Sequence, residues 1–193
     1  MTGSPDTADR AQQLDELVGA INVTPNGSDA FVAATPDWWG ERVFGGMVVA
    51  QSLSAACKTV HGLRPHSLHA YFFRPVRPGP PTTLTVDRLR DSRSFSTRQV
   101  TAEQDGKTTS RLLCSFHTPE AGDEYQLPMP DVPRPDDVPS SEIMPGPYEV
   151  RDIGPRPGRG GTFVSSGRFW LRTCARLPDD EVVHLCVRRF SRT

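Results

Sequence analysis

The residues of this sequence best placed to do chemistry are two adjacent glycines, Gly45 and Gly46, at the start of a long apolar segment. If that segment is a helix, glycines at its N-terminus allow a ligand carbonyl to approach backbone N–H groups that have no partner within the helix. The helix dipole strengthens these donors, so they could polarise a carbonyl oxygen such as that of a thioester. The alternative is that the glycines only permit a tight entry into the helix. The sequence leaves both interpretations open.

Histidine and cysteine offer weaker candidates. There are five histidines and four cysteines, but neither HExxH nor a His/Cys cluster at ligand spacing, so no metal site is predicted. His66 and His69 lie three residues apart on a predicted strand, which should turn their side chains to opposite faces. We keep His66 as a candidate substrate-binding residue, although a hydrogen-bonded strand histidine is the more common case.

A nucleophilic cysteine is not predicted either. Cys57 falls late in the predicted helix, away from its N-terminus, where no feature of the sequence lowers the pKa of its thiol. Neither a GxSxG elbow nor a Walker A loop occurs, and no cofactor is predicted.

One long helix and four strands must position these residues. The segment RVFGGMVVAQSLSAACKTV is apolar or small on nearly every side, which predicts a helix surrounded by other elements. Short turns, including an Asp105–Gly106 hairpin signal, join the strand-like segments that follow. These segments are HSLHAYFFRP, TTLTVDRLRD, SFSTRQVTAEQ and TTSRLLCSFH. A buried helix followed by an antiparallel meander predicts an α+β fold with a curved sheet around a central helix.

The second half of the chain begins with a proline-rich stretch. Ten of the 19 prolines lie between Pro119 and Pro157, which predicts a linker. The segment TFVSSGRFWLRTCARLPDD then indicates a strand and a turn that lead into a helix. We expect the buried flank of that helix to consist of Val182, Val183, Leu185, Cys186 and Val187. The predicted organisation is a domain at residues 1–118, a linker at 119–161, and the start of a second, similar domain at 162–193.

Composition limits the classes of function. The 193 residues include 22 Lys+Arg and 23 Asp+Glu, a formal net charge of −1, so neither nucleic acid nor an anionic membrane is a predicted partner. No signal peptide and no membrane-spanning apolar run is recognised. The scattered cysteines are therefore expected to be reduced thiols, and a cytoplasmic location is predicted.

Four segments carry a resemblance to a known family. RVFGGMVVAQSL, HSLHAYFFRP, DRLRDSRSFSTRQVTAEQDG and LLCSFH are similar in order and spacing to the acyl-CoA thioesterase II family. The resemblance runs from about Phe31 to His117 and resumes from about Arg168 to Val187. It implies a double hotdog fold, in which two long helices are each wrapped by an antiparallel sheet. We expect one complete hotdog here and an incomplete second one. The resemblance also implies hydrolysis of fatty acyl-CoA to free acid and CoA, with no metal or redox cofactor.

Two positions depart from the family pattern. Met47 stands where the family usually has Gln, so an adaptable apolar side chain follows the glycine pair. The candidate substrate-binding residues are Gly45, Gly46, Met47 and His66.

In the family an Asp, a Thr or Ser, and a Gln in the second hotdog are catalytic. Aligned without gaps, that Asp falls at Thr193 after a basic segment, residues 188–192, where apolar residues are expected. The catalytic residues are thus unknown, and a reading-frame change or an early stop is the hypothesis for this end of the sequence.

Three hypotheses for function remain at this stage. The first is an acyl-CoA thioesterase by family resemblance, and the second is a non-catalytic acyl-CoA-binding or dimerising remnant. Another reaction on CoA esters, such as hydration of an enoyl group, is a third. Four arginines, Arg74, Arg88, Arg93 and Arg98, could contact CoA phosphates, although solvated strand faces are the commoner role. We also expect a homo-oligomer, because a half-built second domain would expose the apolar side chains of Phe163, Phe169, Trp170 and Leu171.

Overall fold

Helix α2, Gly45–Cys57, is buried along almost its whole length. In the computed structural model, which describes residues 7–35, 40–141, 146–154, 156–157, 163–164 and 168–190, every residue from Gly46 to Ala56 is buried. The other two helices are α1, Thr7–Ile21, and α3, Glu181–Phe190. Within the described ranges, no helix has the length and apolar character needed to span a membrane.

The main sheet is antiparallel and has six strands. The strands are β1, Thr24–Pro25; β2, Ala30–Ala33; β3, Arg64–Phe72; β4, Thr82–Asp91; β5, Phe95–Gln104; and β6, Lys107–His117. Their order in the sheet is β1-β2-β4-β5-β6-β3. The four predicted long strands are therefore confirmed, and so is the wrapped central helix, because α2 packs against β2 through β6.

The pairing of β3 corrects the predicted meander. Strands β4, β5 and β6 do follow one another as hairpins, and Asp105 and Gly106 form the tight turn between the last two with φ of 53° and 69°. Strand β3, however, pairs with β6 rather than with β4. The connection from β3 to β4 therefore crosses from one end of the sheet toward the other, which hydrophobic alternation cannot reveal.

A buried amide connects α2 to its neighbours. The side chain of Gln51 is 2% exposed, and its Nε2 donates hydrogen bonds to the carbonyl oxygens of Ala34 at 2.7 Å and Ala20 at 3.1 Å. Ala34 directly follows β2, and Ala20 lies in the last turn of α1. These hydrogen bonds explain why a polar residue can be buried inside this apolar helix.

Helix α3 forms where the sequence predicts it. The carboxylate of Asp180 caps its N-terminus, accepting hydrogen bonds from the backbone N–H groups of Val182 at 2.8 Å and Val183 at 3.2 Å. The helix packs against α2, with the Sγ of Cys186 lying 3.3 Å from the carbonyl oxygen of Ala50. The predicted buried flank is confirmed: Val183, Cys186 and Val187 are buried, and Val182 and Leu185 are half-buried.

The chain separates into two compact units, one of residues 1–15 and 122–176 and the other of residues 16–121 and 177–193. The first unit contains β7, Tyr148–Asp152, paired antiparallel with β10, Phe169–Thr173, as well as a short pair formed by β8, Arg156–Pro157, and β9, Phe163–Val164. Strand β7 lies within the stretch predicted as a linker and was not predicted. The domain boundaries at residues 118 and 161, and the second hotdog, stay predictions.

The β7–β10 pair is held by a charged cluster. The carboxylate of Glu149 lies 2.6 Å from a guanidinium nitrogen of Arg151 and 2.5 Å from one of Arg172, on the facing strand. Hydrogen bonds from Arg151 first, and then from Arg172, lower the pKa of Glu149.

The apolar side chains expected to be poorly covered differ in exposure. Phe169 is exposed, whereas Trp170 is half-buried and donates its indole N–H to the carbonyl of Pro133 at 3.0 Å. The side chain of Phe163 lies outside the described residues.

Candidate functional site

A cavity of about 330 Å³ opens at the N-terminus of α2. Helix α2, the C-terminal end of β3 and the start of β6 supply its walls. The residues that matter for its chemistry are Gly45, Val48, Phe72, Phe73, Arg74 and Ser110. The structure therefore brings one of the predicted glycines to a cavity large enough for part of a small ligand.

The N-terminus of α2 has no side-chain cap. Phe44 occupies the N-cap position in an extended conformation and its side chain makes no capping hydrogen bond. The N–H of Met47 donates to the carbonyl of Phe44 at 2.9 Å, which leaves the two preceding N–H groups, those of Gly45 and Gly46, at the end of the helix. Such groups have no intrahelical partner and carry the positive end of the helix dipole.

The aromatic ring of Phe72 lies directly against this helix end. A Cβ atom placed on Gly45 would be only 3.2 Å from Cζ of Phe72, closer than side-chain carbons normally approach. Phe72 is nevertheless 51% exposed. Gly45 thus permits a contact that another residue would obstruct.

Ser110 supplies the polar group of the cavity wall. It lies opposite Phe72 in the β3–β6 register, on the face of β6 that also carries the buried side chains of Leu112 and Cys114. Ser110 is 3% exposed and lines the cavity.

These groups define what the cavity can do. Backbone N–H groups and a hydroxyl can donate hydrogen bonds to a carbonyl or carboxylate oxygen, and the rings of Phe72 and Phe73 can contact an apolar chain. The exposed guanidinium of Arg74, whose Nη1 donates to the carbonyl of Thr108 at 2.9 Å, lies at the rim. None of the described residues lining the cavity carries a carboxylate that could activate water. The described cavity can bind and polarise a carbonyl group, but it does not supply a general base.

The other predicted substrate-binding residues lie elsewhere. Gly46 is buried behind Gly45, and the side chain of Met47 is fully enclosed in the core and does not line the cavity. His66 is exposed near the opposite end of β3, six residues before Phe72 and therefore about 20 Å along the strand. Its Nε2 lies 2.9 Å from the hydroxyl of Ser115. A role of Gly46, Met47 and His66 in substrate binding stays a prediction.

A β-bulge corrects the predicted orientation of the two strand histidines. The β3–β6 register shifts between Pro65 and Ser67, so an extra residue is accommodated at His66. His66 contacts Ser115 and His117, on the face of β6 turned away from α2, and His69 contacts Tyr71 on the same outer face. The predicted opposite orientation is wrong because the bulge reverses the alternation. No group of histidine, cysteine and acidic residues in the described ranges could hold a metal ion.

The arginines also divide into different roles. Arg88 pairs with Asp29 at 2.9 Å on the surface, and Arg93 is exposed. Arg98 is 1% exposed, so its predicted place on a solvated face or at CoA phosphates is wrong. Its guanidinium donates to Thr59, just after α2, through Nε to the hydroxyl at 2.8 Å and through Nη2 to the carbonyl at 3.1 Å. It also donates to the Asp91 carboxylate at 2.6 Å.

The Arg98 network accounts for much of the RD-x-RSF-x-x-R motif. The Asp91 carboxylate accepts a hydrogen bond from Ser96 at 2.9 Å as well as the one from Arg98, and these two bonds lower its pKa. Arg98 further donates to the carbonyl of Arg90 at 3.0 Å. The motif therefore fixes the β4–β5 hairpin to the C-terminal end of α2, far from the cavity at the other end of the helix.

Burial raises the pKa of each of the four cysteines and so disfavours the nucleophilic thiolate. All four are free thiols, and burial, reinforced by the carboxylates of Asp180 and Glu181, raises the pKa of Cys57 to about 12. Burial likewise raises the pKa of Cys114 to about 12. The expectation that Cys57 is unreactive agrees with this environment. Cys57 also lines a second cavity of about 320 Å³, between the ends of α1 and α2 and the start of α3.

Sequence reasoning missed Phe72 and Ser110. The signal for Ser110 is the alternation that already identified Leu112, Cys114 and Phe116, extended by one step toward the start of the strand. No comparable signal indicates that Phe72 contacts Gly45, because the contact depends on how β3 crosses α2. Thr193, where the family's Asp falls in an ungapped alignment, lies outside the described residues.

Comparisons with known proteins agree on one family. The family described as "Acyl-CoA thioesterase N-terminal domain" matches residues 35–117. Acyl-CoA thioesterase 2 of Haemophilus influenzae is 30% identical, over 90% of this chain and 68% of its own length. Human acyl-coenzyme A thioesterase 8 is 36% identical, over 88% of this chain and 62% of its own length. The chain thus spans about two thirds of the length of these relatives.

Solved structures show the same architecture. A protein of Alicyclobacillus acidocaldarius described as having a hot dog fold superposes with a TM-score of 0.74 at 24% identity, covering 90% of this chain and 68% of that one. An acyl-CoA thioesterase II of Mycobacterium marinum also gives a TM-score of 0.74, at 31% identity, covering 91% of this chain and 67% of that one. The fold is therefore an α+β hotdog, the class that holds a central helix in an antiparallel sheet. Within that class, the chain belongs to the acyl-CoA thioesterase II family.

Proposed function

We propose that this chain acts on fatty acyl-CoA as a thioester hydrolase. In this reaction water adds to the thioester carbon, the C–S bond breaks, and the sulfur leaves as the CoA thiol while the acyl group becomes a free fatty acid. The observation that carries the proposal is a cavity with carbonyl-binding donors at the N-terminus of α2, in a chain of this family. A cytoplasmic location belongs to the same proposal, since all four cysteines are free thiols.

The residues of the cavity have distinct roles in this proposal. The N–H groups at the start of α2 and the Ser110 hydroxyl hydrogen-bond the thioester oxygen, where negative charge develops as water adds. The rings of Phe72 and Phe73 contact the acyl chain, and Arg74 at the rim provides positive charge for a CoA phosphate. A carboxylate that orients the water completes the family's mechanism and is not among the described residues that line the cavity.

One measurement tests the activity itself. The full chain is incubated with decanoyl-CoA, released CoA is followed with a thiol reagent, and decanoate is identified by mass spectrometry. Hydrolysis predicts equal amounts of both products, formed in proportion to the protein concentration. Heat-denatured protein is the control for thiols carried by the chain itself. Release no faster than in that control would contradict the proposal.

A second candidate function is a non-catalytic acyl-CoA-binding protein. It is favoured by the absence of a carboxylate among the described residues of the cavity. Binding alone predicts that decanoyl-CoA raises the melting temperature of the protein without release of thiol. The thiol assay and the melting assay together therefore separate the two functions.

A further partner in this proposal is a second copy of the chain. Strand β3 is the last strand of the main sheet, and no strand among the described residues pairs with its outer edge. An unpaired edge is a template for another strand. We therefore include homo-oligomerisation through β3 in the proposed function.

A further inference from the structure

Two side chains of the β7–β10 pair hold the proline-rich segment that precedes it. The indole N–H of Trp170 donates to the carbonyl of Pro133 at 3.0 Å. The Nη1 of Arg151 donates to the carbonyls of Pro135 and Val138, both at 2.8 Å. Residues 133–138 therefore lie on this strand pair in the manner of a bound peptide, held through their backbone carbonyls.

The segment has the conformation of a proline-rich ligand. Arg134, between the two prolines, has φ of −66° and ψ of 154°, close to the values of a polyproline II helix. That helix makes no internal hydrogen bonds, so its carbonyls are free to accept from a partner. Domains that bind proline-rich peptides place aromatic side chains against the same preformed helix. A short 3₁₀ turn, Pro135–Asp137, follows and brings the Val138 carbonyl to the guanidinium of Arg151.

The side chains that hold the segment are positioned by the strand pair itself. Trp170 lies opposite Arg151 in the register, and Arg172 lies opposite Glu149, so the four side chains share one face, here called the ribbon face. Glu149 accepts a hydrogen bond from Nε of Arg151 at 2.8 Å and lies 2.6 Å from its Nη2, which leaves Nη1 for the segment. A surface that is ordered in advance loses little freedom when a ligand binds.

Charge and space on the ribbon face indicate which ligands fit it. Two guanidinium groups share one carboxylate, so the face carries an excess of positive charge. Asp136 of the segment borders a cavity of about 80 Å³ that Arg151 and Arg172 also line. The segment therefore leaves part of the face unfilled. A proline-rich chain with an acidic residue after its second proline matches both the charge and the donors.

The segment can leave the ribbon face without breaking other backbone contacts nearby. In the described part of the chain, residues 121–132 make no backbone–backbone hydrogen bond. Beyond the segment, the next such bond joins the N–H of Ser141 to the carbonyl of Val150 at 2.7 Å. Segments with so few contacts open locally at a small free energy.

We propose that the ribbon face is a binding surface for proline-rich chains and that residues 133–138 occupy it as a built-in ligand. A partner protein with an exposed Pro-x-Pro segment followed by acidic residues displaces them. The inference goes beyond the proposed hydrolysis and does not rest on it, because the ribbon face and the cavity at the start of α2 share no residue.

A peptide with the sequence of the segment is the probe. The full chain is titrated into the blocked, fluorescein-labelled peptide DVPRPDDV, residues 131–138, and fluorescence anisotropy is measured. The double variant Pro133→Gly/Pro135→Gly weakens the built-in ligand, because a glycine chain loses more conformational entropy on docking. It should bind the peptide at least tenfold more tightly than the unmodified protein, whose ribbon face is occupied. Equal affinities, or no binding to the variant at about 0.5 mM protein, would overturn the proposal.

Two further comparisons in the double variant test the recognition itself. Adding Trp170→Phe keeps an aromatic ring but removes the indole donor, which should weaken peptide binding about fivefold, the effect of one hydrogen bond. Adding Phe169→Leu instead is the matched control, because alternation places residue 169 on the opposite face, and the affinity should not change. An affinity that does not respond to Trp170→Phe would overturn the assignment of the ribbon face.

The second comparison changes the peptide and leaves the protein as it is, so it holds even if a substitution on the ribbon face disturbs folding. The same peptide with Ala in place of both prolines should bind at least fivefold more weakly, since its chain is not held extended before it binds. Equal binding of the two peptides would show that the surface does not select proline-rich chains and would overturn the inference. Release of thiol from decanoyl-CoA is unaffected by any of these outcomes and is scored separately.

Discussion

Arg98 illustrates how a single residue can look like a ligand contact in sequence and prove to be structural. In the sequence it is one of several arginines on strands rich in polar residues. In the structure it lies on the inward-facing side of β5, in step with Val100 and Ala102, which are also buried. A buried guanidinium is tolerated only when its donors are satisfied, and Arg98 donates to Thr59, Asp91 and two backbone carbonyls of the β4–β5 hairpin.

Replacement of Arg98 should destabilise the fold. We expect Arg98→Met to lower the free energy of unfolding by about 3 kcal/mol, because several hydrogen bonds are lost and the Thr59 carbonyl is left buried. Urea unfolding measures the change. The control is Arg88→Met, which removes an exposed ion pair with Asp29 and should cost clearly less. Similar losses in both variants would mean that Arg98 does not hold the hairpin to α2.

Asp91 gives this network a pH dependence. The hydrogen bond from Arg98, followed by that from Ser96, lowers the pKa of Asp91 below its ordinary value of 3.8. A lowered folded-state pKa means that the carboxylate stabilises the fold above about pH 4, and that this contribution disappears as the pH falls through the folded value. The unfolding free energy of the unmodified protein should therefore exceed that of Asp91→Asn at pH 6, and the difference should shrink toward pH 2. A difference that does not change with pH would contradict this expectation.

At the scale of elements, the helices were easier to predict than the pairing of strands. Helix α3 follows from local signals, a pair of aspartates before an apolar flank, because capping and helical periodicity operate within a few residues. The position of β3 beside β6 and the bulge at His66 depend on residues far apart in the sequence. Both errors in the predicted sheet arise from such long-range contacts.

Asp180 provides a test of the capping of α3. Asp180→Ala should lower the unfolding free energy by about 1 kcal/mol, because the N–H groups of Val182 and Val183 lose their acceptor. The neighbouring Asp179→Ala is the matched control and should have a smaller effect. Asp180→Asn should retain most of the stability, since an amide oxygen also caps a helix. Thermal or urea unfolding of the three variants compares them, and an equal loss in Asp179→Ala would rule out a capping role.

For the whole molecule, the outer edge of β3 is the surface through which we expect copies to associate. No strand among the described residues pairs with this edge, which lies beside the exposed rings of Tyr71 and Phe72. The near-neutral charge of −1 gives little repulsion between copies. Pairing of β3 with its copy about a twofold axis would bring the same residues of each chain face to face.

A charge on this edge should therefore separate the copies. We expect the unmodified chain to elute as a dimer in size-exclusion chromatography with light scattering, and His69→Glu to elute as a monomer, because each new carboxylate would lie close to its copy. Thr101→Glu places the same charge in the interior of the sheet, on β5, and should leave the dimer intact. At a protein concentration of about 50 μM, a dimer with a micromolar Kd would be well populated. An unmodified chain that elutes as a monomer at this concentration would therefore exclude pairing through β3.

The sequence by itself determined the elements and the family. The apolar helix around Val48, the alternating strands and the Asp105–Gly106 turn are set by local periodicity and turn chemistry, and the quoted motifs were enough to indicate the acyl-CoA thioesterase II family. Only the tertiary structure decided which residues meet at the end of α2. Gly45, Phe72 and Ser110 come from three elements, and their presence around one cavity depends on the crossing of β3 and on the β3–β6 register. Those arrangements are fixed by packing between segments that are distant in the sequence, and local periodicity carries no information about such packing.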